Sequence, residues 1–169
     1  NLLSKTNIWN NKNFLMMLDQ KKLNYIDYSS LNLDVSGNIY RPNVDKVQKL
    51  VSKGASIILN DIEKYNSGLL KIATELQKLT NGRCQGNLYF SMASHKAFGP
   101  HFDMHDVFAI HFEGEKIWNI YENIEKNPIN HGIFNFSIEE RTKKAGNLIE
   151  QVTLKPGDLL YIPRGQFHD

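Results

Sequence analysis

Apolar residues in the first eighty positions of this chain mix helical and strand spacing, and those after them fall mostly at strand spacing. Phe14-Leu15-Met16-Met17-Leu18 predicts a short early helix. Pro42-Asn43-Val44 opens a second, with Val44, Val47, Leu50 and Val51 on one face and Gly54 as its stop. Ala55-Ser56-Ile57-Ile58-Leu59 is a compact apolar strand. Asn60 or Asp61 then caps the longest predicted helix, which carries Ile62, Leu69, Leu70, Ile72, Leu76 and Leu79 and ends at Asn81-Gly82.

From Cys84 onward short apolar or aromatic runs follow one another: Asn87 to Ser91, Val107 to Phe112, Ile117 to Tyr121, Leu148 to Leu154 and Leu159 to Ile162. Lys155-Pro156-Gly157-Asp158 separates the last two and is a turn by mechanism, since Pro presets φ and the following Gly supplies a positive one. Residues 122–147 are polar and read as a long irregular connection of the kind that covers a site. Short strands with turns and no long helix between them predict a mainly β fold with N-terminal helices, a double-sheet barrel or jelly roll. The expected division is a mixed helix and strand lead-in over 1–83 and a barrel core over 84–169.

Composition narrows the function classes more than it names one. A chain of 169 residues with 41% hydrophobic and 22% charged residues builds one ordinary core. Its net charge of +2, on scattered basic residues, gives no footprint for direct nucleic-acid binding. Cys84 is the single cysteine, which removes an intrachain disulfide and a cysteine zinc cluster. No apolar run has membrane-spanning length and no signal-peptide pattern opens the chain, so a cytoplasmic setting is the expectation. Asn1 is not an initiator residue, and a piece of a longer protein is expected.

The chemistry lies in His101-x-Asp103 and, far downstream, His168. On a strand, residues i and i+2 point to the same side with Cα atoms about 6.6–6.8 Å apart, so His101 and Asp103 can converge on one ion. His105 shares their face but would lie about 13 Å from His101 on a straight strand. His95, His111 and His131 fall in an approach loop, an apolar run and the polar connection, where structural or solvated roles are the simpler reading. His168 follows a turn and a strand ending at Pro163 and Gly165, which returns its side chain to the barrel mouth. Two histidines and one carboxylate with an open opposite face suit Fe(II) better than structural zinc, which prefers four closed ligands.

Three stretches together carry a family resemblance. Gly99 to Phe108, Gly114-Glu115-Lys116-Ile117-Trp118, and Leu154 to His168 closely resemble the JmjC-type cupin branch of the 2-oxoglutarate oxygenases, and within it the ribosomal oxygenase group, which hydroxylates side chains of ribosomal proteins. The resemblance covers residues 84–169 well and residues 1–42 only loosely. It implies a double-stranded β-helix with Fe(II) on His101, Asp103 and His168, 2-oxoglutarate as cosubstrate and O2 as oxidant. It also implies that Lys116 holds the distal carboxylate of 2-oxoglutarate, that Asn87 assists, and that Tyr89 lies on the substrate side. A buried dicarboxylate needs such a cation, or desolvation would prevent binding.

The expected activity is hydroxylation of a protein or peptide side chain, with a ribosomal protein as the indicated partner. A small-molecule hydroxylase of the same fold and a non-oxygenase metal-binding cupin are the alternatives. The family's strand after the distal histidine and its C-terminal dimerisation and winged-helix-like regions are missing from these 169 residues. A barrel truncated there leaves an edge open, and poor stability, self-association or homodimer formation is expected of the segment alone.

Overall fold

A computed structural model describes residues 24–26, 44–92 and 98–169. The predicted helix over residues 14–18 and His95 lie outside them. The chain divides into two compact units, residues 1–97 and 98–169. Among the described residues no helix is long and apolar enough to cross a membrane.

In the N-terminal unit, β1 (Asn24–Ile26), β2 (Ser56–Leu59) and β3 (Leu88–Phe90) form an antiparallel sheet with β2 in the centre. Helix α1 (Val44–Ser52) starts with Asp45 in its first turn and ends with Lys49 in its last, both favourable to the helix dipole. Gly54, at φ +102°, takes the chain out of the helix as its sequence position predicts. Val47 and Val51 of α1 and Ile57 and Leu59 of β2 are fully buried, which accounts for their one-sided spacing.

The long helix expected from Ile62 to Leu79 is two elements. Asp61 adopts a left-handed conformation (φ 56°) and its side chain caps nothing, so Ile62–Lys64 makes a single 3-10 turn. The cap is Asn66, whose side-chain oxygen accepts from the N–H groups of Gly68 and Leu69 and starts α2 (Ser67–Thr80). Asn81 in the left-handed region ends α2 where expected.

The C-terminal unit holds two sheets. β4 (Val107–Ile110) pairs antiparallel with β7 (Leu159–Ile162), while β5 (Lys116–Ile124) lies between β6 (Leu148–Leu154) and β8 (Gln166–His168). The Lys155–Asp158 turn closes with a 2.9 Å backbone bond and a 2.7 Å bond from Lys155 N–H to the Asp158 carboxylate. It carries the chain from β6 in one sheet to β7 in the other. Gly157 supplies the positive φ, +101°.

The 122–147 connection is more ordered than its polarity implied. β5 runs on to Ile124, a 3-10 turn spans Gly132–Asn135, and α3 covers Ile138–Ala145. Ser137 and Glu140 form a reciprocal capping box at the start of α3. That Ser-x-x-Glu spacing is the local signal which the polar composition obscured. Arg141 and Ala145 of α3 are buried.

The core of this unit gathers Phe102, Ile133, Ala145 and Phe167, with Tyr121 packed against it. Phe102 and Phe167 meet edge to face at 5.2 Å. Each is the chain neighbour of a triad histidine, so burying the two rings on one side turns the histidines to the other. A one-residue slip would exchange them, which is why the core fixes the register of the site.

Gly165 holds this arrangement from the backbone. Its N–H donates to Asp103 O (2.8 Å), its carbonyl accepts from Glu125 N–H (2.8 Å), and its φ is +82°. A Cβ there would collide with the Glu125 carbonyl oxygen. Gly165→Ala is therefore expected to cost more than the roughly 1–2 kcal/mol of left-handed strain alone. The expected result is a lower Tm together with weaker metal binding, whereas an Ala variant matching the parent in both would show that β8 does not depend on this turn.

Candidate metal centre

His101 and His168 face each other across an isolated antiparallel bridge, His101 ahead of β4 and His168 at the end of β8. His101 N–H donates to His168 O at 3.0 Å and His168 N–H to His101 O at 2.8 Å. Residues exchanging both bonds stand directly opposite with side chains on the same face, and here the two ring centroids are 4.5 Å apart. Asp103, two residues on from His101, joins them. His168 Nε2 is 3.6 Å from Asp103 Oδ2, and one ligand atom from each of the three residues lies within 4.8 Å of the others.

Both rings are oriented by their own backbone. His101 Nδ1 is 3.0 Å from the Gly99 carbonyl and His168 Nδ1 is 2.9 Å from the Gln166 carbonyl. A carbonyl can only accept, so each Nδ1 carries the proton and donates, and each Nε2 keeps its lone pair for a metal. Protonation states agree with this. Burial, reinforced by the neighbouring His168, holds His101 down at about 4, and the Asp103 charge offsets it only in part. Burial also lowers His168. Neutral imidazoles are the ligating form.

The donor set fits a divalent cation with open positions. Bonds of about 2.1 Å place adjacent donors on one octahedral face about 3 Å apart, so ligand atoms lying within 4.8 Å of one another have to close by at most about 2 Å. Among the described residues, no fourth His, Cys, Asp or Glu joins the group. His105 and His131 are exposed and stand apart from it; His111 is half-buried, with a buried Nε2 that has no hydrogen-bond partner among the described residues.

Around the triad the structure adds residues that sequence patterns did not single out. Phe98 and Phe134 tilt against the His101 ring at 5.2 and 5.5 Å. The Arg141 guanidinium lies 5.4 Å over Phe134, and its charge also depresses His101. These side chains come from three separate segments, and no local spacing joins them.

Lys116 opens β5 and is half-buried, with burial lowering its ammonium. Its Nζ lies 4.3 Å over the Trp118 ring, and Trp118 in turn packs on His168 at 5.7 Å. The Lys116 charge is close enough to His168 to help lower it. Asn87 and Tyr89 belong to the N-terminal unit, Asn87 exposed just before β3 and Tyr89 within it, 46% exposed. Asp169, which sequence reasoning passed over, accepts 2.7 Å bonds from Asn119 Nδ2 and Tyr121 Oη. It extends the pairing of β8 with β5, and its two backbone bonds to Asn119 are 3.0 Å.

Two small antiparallel sheets with His101, Asp103 and His168 gathered beside them define a jelly-roll protein with a candidate metal centre. The family model for the JmjC domain matches residues 62–169, and this chain belongs to that family. It is 34% identical over 147 residues to the bifunctional lysine-specific demethylase and histidyl-hydroxylase NO66 of Dictyostelium discoideum, covering 86% of this chain and 27% of that protein. To ribosomal oxygenase 2 of Bos taurus it is 31% identical over 121 residues, covering 72% of this chain and 25% of that one. The chain thus spans about a quarter of the length of the curated relatives it matches. Among solved structures it shares its fold with YcfD, a ribosomal oxygenase from Escherichia coli determined with cobalt and 2-oxoglutarate. The TM-score is 0.64 at 18% identity, over 98% of this chain and 41% of that one.

Proposed function

We propose that this chain carries the catalytic barrel of an Fe(II)- and 2-oxoglutarate-dependent dioxygenase that hydroxylates a protein side chain. The observation that carries the reading is the convergence of His101, Asp103 and His168 with a half-buried cation, Lys116, one tryptophan away. His101, Asp103 and His168 are the metal ligands, and Lys116 takes the far carboxylate of the cosubstrate. Asn87 is assigned to cosubstrate binding and Tyr89 to the substrate side. The metal and 2-oxoglutarate together supply the oxidation: O2 is consumed, 2-oxoglutarate leaves as succinate and carbon dioxide, and one oxygen atom enters a substrate C–H bond.

The protein's own contribution is positional. Gly99 and Gln166 carbonyls fix the ligand tautomers, Phe98 and Phe134 keep the His101 side of the site apolar, and Lys116 compensates a dicarboxylate that could not otherwise leave water. The relatives' names, a lysine-specific demethylase and histidyl-hydroxylase and a ribosomal oxygenase, point to a protein side chain as the place to seek the substrate, and a ribosomal protein is the one we favour.

The test is thermal unfolding with N-oxalylglycine, an unreactive analogue of 2-oxoglutarate, with and without a divalent metal. A ligand at about 100 times its Kd stabilises by about 2.7 kcal/mol, several degrees for a chain of this size. Stabilisation is expected only when metal is present, and stabilisation absent or independent of metal would defeat the oxygenase reading. Mass spectrometry of ribosomal-protein peptides after turnover then looks for the added oxygen.

A further inference from the structure

Trp118 has a polar atom that its surroundings leave unused. The indole Nε1 is buried and has no hydrogen-bond partner among the described residues. Buried N–H groups are paired in the great majority of cases, and an unpaired one costs about 1–3 kcal/mol. An orphaned donor at a functional site points to an acceptor that arrives with a ligand.

Its position says which ligand. Lys116, Trp118 and Ile120 are alternate residues of β5 and share a face, and Ile120 stands opposite His168 in the register of β5 with β8. Along that face the order is cation, indole, metal ligand. Lys116 Nζ lies 4.3 Å from the Trp118 ring centroid, and the ring lies 5.7 Å from that of His168. A molecule bound to the metal at one end and to Lys116 at the other must run alongside the indole.

We infer that Trp118 is a second cosubstrate-binding residue, its Nε1–H donating to the carboxylate that Lys116 holds. Resting on the oxygenase reading above, this goes beyond it by giving the dicarboxylate a neutral donor at fixed position. Lys116 alone is a point charge on a flexible stem and can follow a carboxylate over a range of distances. An indole held between Lys116 and His168 cannot. Trp118 therefore confers selectivity for the length of the dicarboxylate as well as affinity.

The experiment uses the full chain loaded with Zn(II), which is diamagnetic, and N-oxalylglycine as the probe. Trp9 is the other tryptophan, and Trp9→Phe assigns the two indole N–H resonances. The Trp118 indole proton is expected to move downfield when N-oxalylglycine is added and not when metal is added alone. By calorimetry Trp118→Phe, which keeps an aromatic ring and removes the donor, is expected to weaken N-oxalylglycine about tenfold or more while metal affinity holds. An indole proton unmoved by a ligand that does bind would overturn the inference and leave the oxygenase reading standing. So would a Phe variant binding as tightly as the parent. If the parent binds no N-oxalylglycine, both fall. Should the Phe variant not fold, the resonance of the parent protein decides alone.

Discussion

Asp103→Ala is expected to abolish turnover, lowering it by about three orders of magnitude or more, and to strip the site of metal. Asp103 is the one anionic member of the triad, and with His101 and His168 held neutral it is the only one of the three that brings negative charge to a dication. Several kcal/mol of electrostatic stabilisation leave with it, which is about a thousandfold at 1.4 kcal/mol per decade. Folding should survive. The side chain is 21% exposed and the link from Gly165 N–H runs to the Asp103 backbone carbonyl, which the substitution keeps. The measurement is bound iron per chain alongside the Tm of the metal-free protein. An Ala variant that retains stoichiometric iron would sink the assignment. Lost iron with a Tm lowered by more than about 1 kcal/mol of stability would instead mean that Asp103 is structural.

The second large effect is on cosubstrate. Lys116→Ala is expected to weaken N-oxalylglycine by about a hundredfold or more, because removing one partner of a buried ion pair leaves the other charge uncompensated, at about 3–5 kcal/mol. Metal affinity should hold or rise slightly, since the Lys116 charge disfavours cations near His168. Calorimetric titration of metal first, then of N-oxalylglycine, separates the two. Equal loss of both would show that Lys116 supports the sheet and not the ligand. Read with Asp103→Ala, the two variants split the centre into its metal-binding and dicarboxylate-binding halves.

How much of this was legible depended on the range of the signal. α1 and its Gly54 stop, the Lys155–Asp158 turn and strands β6 and β7 follow from spacing within a few residues, and all appear where local rules put them. Where two local rules competed, the chain settled the matter. Asn60, Asp61 and Asn66 are all plausible caps, and the left-handed Asp61 backbone passed the role to Asn66. In the connection after β5 the polar composition predicts a loop, while the Ser137–Glu140 capping box starts a helix there, α3.

Period-two spacing predicted that His101 and Asp103 face the same way; the structure brings them together without a regular strand, His101 in an isolated bridge and Asp103 in the loop after it. The sequence also placed His168 after the strand ending at Pro163 and Gly165, while the positive φ of Gly165 and the separate strand β8 that carries His168 belong to the structure. Only the tertiary structure decided that His168 stands directly opposite His101, because that register is set by Phe102 and Phe167 burying against each other from distant parts of the chain. It also decided the sense of β5. Hydrophobicity alone would turn Ile117 inward and Lys116 out, yet Ile117 is 54% exposed and Lys116 faces Trp118 and the triad. A strand's alternation is local, but which of its faces is the inside depends on what the other strands bring to it. Here they bring His101, Asp103 and His168 to the side on which Lys116 is half-buried.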